Sequence, residues 1–198
     1  SVNLTLEWFN NQRDRILIQQ QGSTPDSSGI ASLLPPTNFG SMTNSGYEFN
    51  IAYSGGDSNY SNPNGFRYTV GLNGGYSKNE IEFIDEVSGA PEWQLREGKP
   101  LGAYLLYETD GVFYDQSEID ANAVDYSQVT PQLRPGDLRL VDYDGNGKID
   151  ADDQVRQEDS FTPRLQYGIT LDMSYKNFDL SILFQGSQGG LTTLFNGE

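Results

Sequence analysis

Residues 167–184 read YGITLDMSYKNFDLSILF. Tyr167, Ile169, Leu171, Met173 and Tyr175 alternate with Thr170, Asp172, Ser174 and Lys176. Beyond Lys176-Asn177 the alternation resumes, with Phe178, Leu180, Ile182 and Phe184 set against Asp179, Ser181 and Gln185. A period of two is the signature of a strand with one apolar and one polar face. Two such runs joined by two residues predict a β-hairpin, with Asn177 suited to positive φ. On this register Leu171, Met173, Leu180 and Ile182 share one face, and Asp172, Ser174 and Ser181 share the other.

The same pattern recurs upstream. Val2, Leu4, Leu6 and Trp8 form one stripe, and its even phase returns at Ile16 and Ile18. Tyr47, Phe49, Ile51 and Tyr53 form a second stripe, and Tyr68, Val70, Leu72 and Tyr76 a third. The expectation is an all-β, antiparallel sheet of about five strands, with no helix of useful length. The connections are unequal: a two-residue turn at 176–177, a Gly/Asn/Ser turn at 54–66, a polar loop at 20–42 and a very long connection at 85–163. If the strands run up and down in order, both short turns fall at one end and both long loops at the other. Short turns on one side and long loops on the other is the plan of an outer-membrane β-barrel. Trp8-Phe9, Tyr53, Tyr76, Tyr175 and Phe178 stand near stripe ends, where barrels carry interfacial aromatic girdles. A soluble β-sandwich also alternates, so both architectures remain open on pattern alone.

Composition narrows the chemistry. The 198 residues contain 28 acidic and 12 basic side chains, a formal net charge of −16. Nucleic acid, whose phosphates need a basic surface, is excluded as a partner. With no histidine and no cysteine, Ser-His-Asp and Cys-His catalysis and histidine- or thiolate-bound metals are excluded. No enzymatic constellation stands out, because acidic pairs could be drawn from many positions and spacing singles out none. Gly71, Gly74 and Gly75 lie inside a strand pattern, which suits close strand packing better than phosphate binding. Residues 85–162 hold 18 acidic and 6 basic side chains, so most of the net charge belongs to the long connection.

Within that connection, residues 142–153 read DYDGNGKIDADD. A calcium loop of the EF-hand type uses positions 1, 3, 5, 7, 9 and 12, with glycine at 6. Those positions are Asp142, Asp144, Asn146, Lys148 (through its carbonyl), Asp150 and Asp153, with Gly147 at 6. Asp153 stands where glutamate is usual, one methylene short of easy bidentate closure. Ile149 is placed to pack beneath the loop. Without flanking helices, a bound calcium would be structural. The competing reading is a tight turn, since Asp-Gly-Asn-Gly is strong turn chemistry.

Ordered motifs then point to a family. LTLEWFNNQRDRIL (4–17), NFGSMTNSGYEFNI (38–51), EGKPLGAYLLYETDGVF (97–113), PGDLRLVDYDGNGKIDADDQV (135–155) and PRLQYGITLDMSYKNFDLSILFQGSQG (163–189) together resemble the C-terminal barrel region of SusC/RagA-type TonB-dependent outer-membrane transporters. The resemblance covers nearly the whole chain. It implies a fragment (1–198) of a larger plugged barrel in the bacterial outer membrane, with 85–163 as a large extracellular loop region. It also implies import of glycan fragments or peptides, a SusD-like surface lipoprotein as partner, TonB acting through N-terminal parts absent here, and lipid around the barrel. The alternative from the residues alone is a secreted, calcium-stabilised β-sandwich that binds carbohydrate.

Overall fold

A computed structural model describes residues 1–20, 22, 29–30, 33–57, 59, 62 and 64–193. Five long strands form one sheet: β1 (Val2–Ile18), β2 (Thr37–Gly56), β3 (Arg67–Phe83), β8 (Leu165–Tyr175) and β9 (Phe178–Gln188). They pair in chain order, every neighbour antiparallel. The long connection contributes short strands β4 (Leu105–Tyr107), β5 (Thr109–Val112), β6 (Leu138–Leu140) and β7 (Gln154–Arg156), and one six-residue helix, α1 (Gln116–Ala121). β4 pairs with β7 and β5 with β6.

Register aligns the stripes across all five strands. Val2, Tyr53, Val70, Leu171 and Ile182 lie in one row, and Leu4, Ile51, Leu72, Ile169 and Phe184 in another. Four residues along, Trp8, Tyr47, Tyr76 and Leu165 follow in the same way. The apolar side chains therefore share one face of the sheet. That face is bare: Trp8 is 75 % exposed and Phe178 78 %. Among the described residues the buried apolar side chains are Ile81, Phe113, Tyr126, Ile149 and Val155, most of them in the connection and none on this face. The opposite face is polar and concave. It encloses about 890 Å³ and is lined by Thr5, Glu7, Asn50, Asn73, Gln166 and Gln185 among others.

Aromatic rings mark both ends of the apolar band. Tyr47 stacks on Tyr76 with centroids 5.5 Å apart, beside Trp8. At the other end Tyr53 meets Tyr68 at 5.9 Å and Phe66 meets Tyr68 at 5.7 Å. Phe9 departs from the girdle reading, because it lines the concave face. Other expectations shift at their boundaries. β2 begins at Thr37, so residues 37–42 are strand and the first loop is shorter than 20–42. The second turn narrows to 57–66, because β2 continues to Gly56. In the tight turn the left-handed residue is Lys176 (φ 54), not Asn177, and its ammonium sits 5.1 Å from the Tyr175 ring. The even phase of β1 does not run straight to Ile16 and Ile18. The register slips between Arg13 and Ile16 around Arg15 (φ 59), a β-bulge that bends the strand end.

Glycines mark where strands approach most closely. A Cβ on Gly46 would stand 2.2 Å from the Tyr76 carbonyl oxygen and 2.6 Å from the Phe9 ring. On Gly75 the nearest atom would be Glu48 Cγ at 3.4 Å. We therefore expect Gly46→Ala to destabilise the folded full-length protein by about 1–3 kcal/mol, and Gly75→Ala to be nearly neutral. Heat-modifiable gel mobility reads the folded fraction. Equal behaviour of the two variants would refute this close-approach account.

Candidate functional site

The connection between β3 and β8 builds its own small core. Phe113, Tyr126 and Ile149 are buried together, with Tyr107 and Leu140 packed against them. Phe113 meets Tyr126 edge-on at 5.8 Å. The Tyr126 hydroxyl donates to the Leu140 carbonyl (3.1 Å) and accepts from the Leu140 N–H (2.9 Å). Burial pushes both the Tyr126 and Tyr107 phenols up, Tyr107 further through the charges of Asp153 and Asp150.

Ile149 anchors residues 142–153 to this core, as its place in the loop suggests. Its side chain is fully buried, and its N–H donates to the Asp125 carbonyl (2.8 Å). The Asp125 N–H donates in turn to the Gly147 carbonyl (3.0 Å). Above this anchor the chain curls through Gly145 (φ 73) and Gly147 (φ 84), a conformation that glycine takes without strain.

The curl is held by its own side chains. Asp142 accepts from the N–H groups of Asn146 (3.1 Å) and Gly147 (2.8 Å). Asp144 accepts from the Asn146 N–H (2.9 Å), and Asn146 Oδ1 accepts from the Lys148 N–H (2.9 Å). Asp153 is fully buried and closes the loop. Its carboxylate accepts from the N–H groups of Tyr143 (2.7 Å) and Asp150 (2.8 Å). Asp142, Asp144 and Asp153 each bring one oxygen within 4.8 Å of the others. Asp150 stands outside this trio. It accepts from the Asp152 N–H (2.9 Å) and pairs with Lys148 at 3.4 Å, and both interactions hold its carboxyl below the usual range, the N–H bond first. Three converging carboxylate oxygens around left-handed glycines suit a hard divalent cation.

Two further groups belong to this site and carry no local sequence signal. Asp125 supplies the backbone bridge to Ile149. Trp93 donates from Nε1 to the Asp152 carbonyl (2.7 Å) and lies 5.2 Å from the Tyr143 ring. Both are distant in sequence from what they hold.

The concave wall is the second candidate. Glu7 and Glu48 face each other across β1 and β2, with Gln166 and Ser187 in the same row. Thr5, Asn50, Asn73 and Gln185 form the next inward row. Nearer the tight turn, Ser181 donates to Asp172 (2.6 Å), which places both side chains on this face as the alternation requires.

Comparison with known proteins follows the same lines. No protein-family profile matches the chain. TonB-dependent receptor P3 of Formosa agariphila is 29% identical over 201 residues, covering 96% of this chain and 19% of the receptor. TonB-dependent receptor P26 of the same bacterium is 32% identical over 175 residues, covering 83% and 16% respectively. The chain belongs to the TonB-dependent receptors. It spans about a fifth of the length of P3 and less of P26. In fold it is similar to the RagAB peptide importer in the open-open state, with TM-score 0.60 and 17% identity over 96% of this chain and 19% of that one. A further structure of the RagAB peptide transporter aligns at TM-score 0.56 and 19% identity, over 93% of this chain and 19% of that one. The receptor segment is thus an all-β barrel piece of five antiparallel strands.

The receptor's connection should also respond to acid. Asp115 is held below the usual carboxylate range by the Ser117 hydroxyl and the Glu118 N–H, and Asp125 by the N–H and hydroxyl of Ser127. A carboxyl depressed in the folded state stabilises above its unfolded value, about 3.9, and loses that contribution as pH falls through its folded value. Amide exchange at 115–118 and 125–127, corrected for intrinsic rates, should therefore stay flat from neutral pH to about 5 and accelerate below about 4. Acceleration beginning near neutral pH would contradict this assignment.

Proposed function

We propose that this chain forms part of the barrel wall of an outer-membrane TonB-dependent transporter, with its apolar face in lipid and its concave polar face toward the lumen. The observation that carries the reading is the shared register. Five strands present an uncovered apolar face between two aromatic ends, while the concave side is polar. In hydrocarbon every backbone group must be paired within the protein, so membrane strands occur in closed barrels. A secreted β-sandwich would bury the apolar face against a second sheet, and among the described residues no second sheet covers it. Transport of glycan fragments or peptides fits this reading, with a SusD-like lipoprotein at the outer mouth. The RagAB name is that of a peptide importer. TonB would act through parts of the receptor that this chain does not span.

Orientation follows from the connections. The turns at 57–66 and 176–177 leave the sheet at one end, and the connections at 19–36 and 84–164 leave it at the other. We assign the short turns to the periplasm and the long connections to the cell surface. An arginine at the bilayer midplane costs roughly 2–4 kcal/mol. Leu171→Arg should therefore impair assembly of the full receptor in the outer membrane, and Asp172→Arg should be tolerated. Equal tolerance of both would contradict the lipid assignment. Protease added to intact cells should cut within 84–164 and spare 57–66, and the reverse pattern would invert the orientation.

We further propose that residues 142–153 bind one structural calcium ion through Asp142, Asp144, Asn146, the Lys148 carbonyl and Asp153, with Asp150 reaching it through a water. The converging carboxylates and the buried, closing Asp153 support this set. Magnesium should compete poorly, because it demands a tighter octahedron and keeps its water. Asp142→Ala should make 135–157 protease-sensitive in calcium while leaving barrel assembly intact. If wild-type sensitivity in that segment is the same in calcium and in chelator, the metal assignment is wrong.

A further inference from the structure

The acidic loop and the outer end of β3 are far apart in sequence, yet one short segment is fastened to both. At its start, Trp93 Nε1 donates to the Asp152 carbonyl (2.7 Å) and Gln94 Nε2 donates to the Ala151 carbonyl (2.7 Å). These carbonyls belong to the 3-10 turn, Ala151–Asp153, that carries the buried closing carboxylate. The Trp93 ring also lies against Tyr143, at the loop's opening. At its finish, the Gly98 N–H donates to the Ile81 carbonyl (2.8 Å), and the Ile81 N–H donates to the Lys99 carbonyl (3.0 Å). Ile81 is a buried residue of β3. β3 pairs with β8 only from Arg67 to Tyr76, so at Ile81 this segment supplies partners in place of a neighbouring strand.

The middle of the segment is held as well. The N–H groups of Arg96 and Glu97 both donate to Glu86 Oε1, and the Arg96 guanidinium pairs with the same carboxylate at 3.6 Å. Glu97 returns a bond by accepting from the Ile84 N–H (3.2 Å). From the loop side, Arg156 donates to the Gln94 carbonyl (3.3 Å) and the Ala103 carbonyl (3.0 Å), and Lys99 pairs with Glu158. Seven residues fixed at both ends and along their length have little freedom to absorb a displacement.

We propose that residues 93–99 are a strap that joins the acidic loop to the outer end of β3, so that the two order and open as one unit. Trp93 and Gln94 are the positioning residues on the loop side. Ile81, Gly98 and Lys99 form the attachment on the barrel side. The strap itself stands on contacts present without a metal. Its use as a relay of metal occupancy rests on the calcium reading above. In that role, filling the loop at the cell surface would stiffen the rim of the barrel wall, which makes the loop a stabiliser of the mouth as well as of itself.

The test is amide exchange by mass spectrometry on the full receptor in detergent, comparing wild type with the Trp93→Ala/Gln94→Ala double variant and with Trp93→Phe as a ring-retaining control. In chelator, the double variant should accelerate exchange by roughly tenfold or more both at 150–153 and at 79–83, the scale expected for losing two side-chain hydrogen bonds. Trp93→Phe should give an intermediate effect at both. Acceleration confined to 92–95, with 79–83 and 150–153 unchanged, overturns the strap. In a second arm, millimolar calcium should slow exchange at 142–153 and at 79–83 in wild type, and at 142–153 alone in the double variant. Slowing of 142–153 without 79–83 in wild type overturns the relay and leaves the calcium site standing. No slowing anywhere defeats the calcium site and the relay together, and the chelator comparison then decides the strap alone.

Discussion

The structure depends on strand register. Side chains alternate with a period of two, so a slip of one residue in any pairing would send that strand's apolar set to the polar face. Pairing Leu171 with Ile182 on one side and with Val70 on the other keeps three stripes in phase, and Tyr53 and Val2 extend the row to β2 and β1. The consequence is a sheet with a hydrocarbon-compatible exterior and a concave, amide- and carboxylate-lined interior. Between neighbouring strands, backbone hydrogen bonds and side-chain partition are satisfied by the same register, as a wall within a closed barrel requires.

The connection between β3 and β8 obeys a different solvent. It carries most of the negative charge and buries Phe113, Tyr126 and Ile149 as a globular protein does. Its acidic loop hangs from Ile149, so the residue that completes the core also fixes the carboxylates. Asp153 joins the two roles: it is buried, and its oxygens bind the backbone at both ends of the loop. The molecule therefore divides at the outer ends of β3 and β8, with lipid-type patterning on one side and water-type packing on the other.

Much of the sheet was legible because alternation is a local signal. Tyr167 to Phe184 reads as a hairpin without reference to anything else, and with the strands taken up and down in order the loop lengths put both short turns at one end. Details set by tertiary contact were not legible. Phe9 follows Trp8 and reads as a girdle residue, but adjacent residues on a strand face opposite ways. The strand over 37–42 was hidden by its Asn, Gly, Ser and Thr content, and pairing with the end of β1 overrides that preference. Lys176 takes the left-handed position in the turn although Asn177 has the better propensity. The loop's Asp spacing was visible because every member lies within twelve residues. Asp125 and Trp93 were not, since each meets the loop only through the fold.

The central claim is that one face of this sheet lies in lipid and the other does not. Single cysteines placed in turn at 169–174 of the full receptor, each carrying a small fluorophore, can be reconstituted in bilayers of brominated lipid. Quenching should alternate strictly, strong at Ile169, Leu171 and Met173 and weak at Thr170, Asp172 and Ser174. Uniform quenching, or quenching in the opposite phase, would contradict the account.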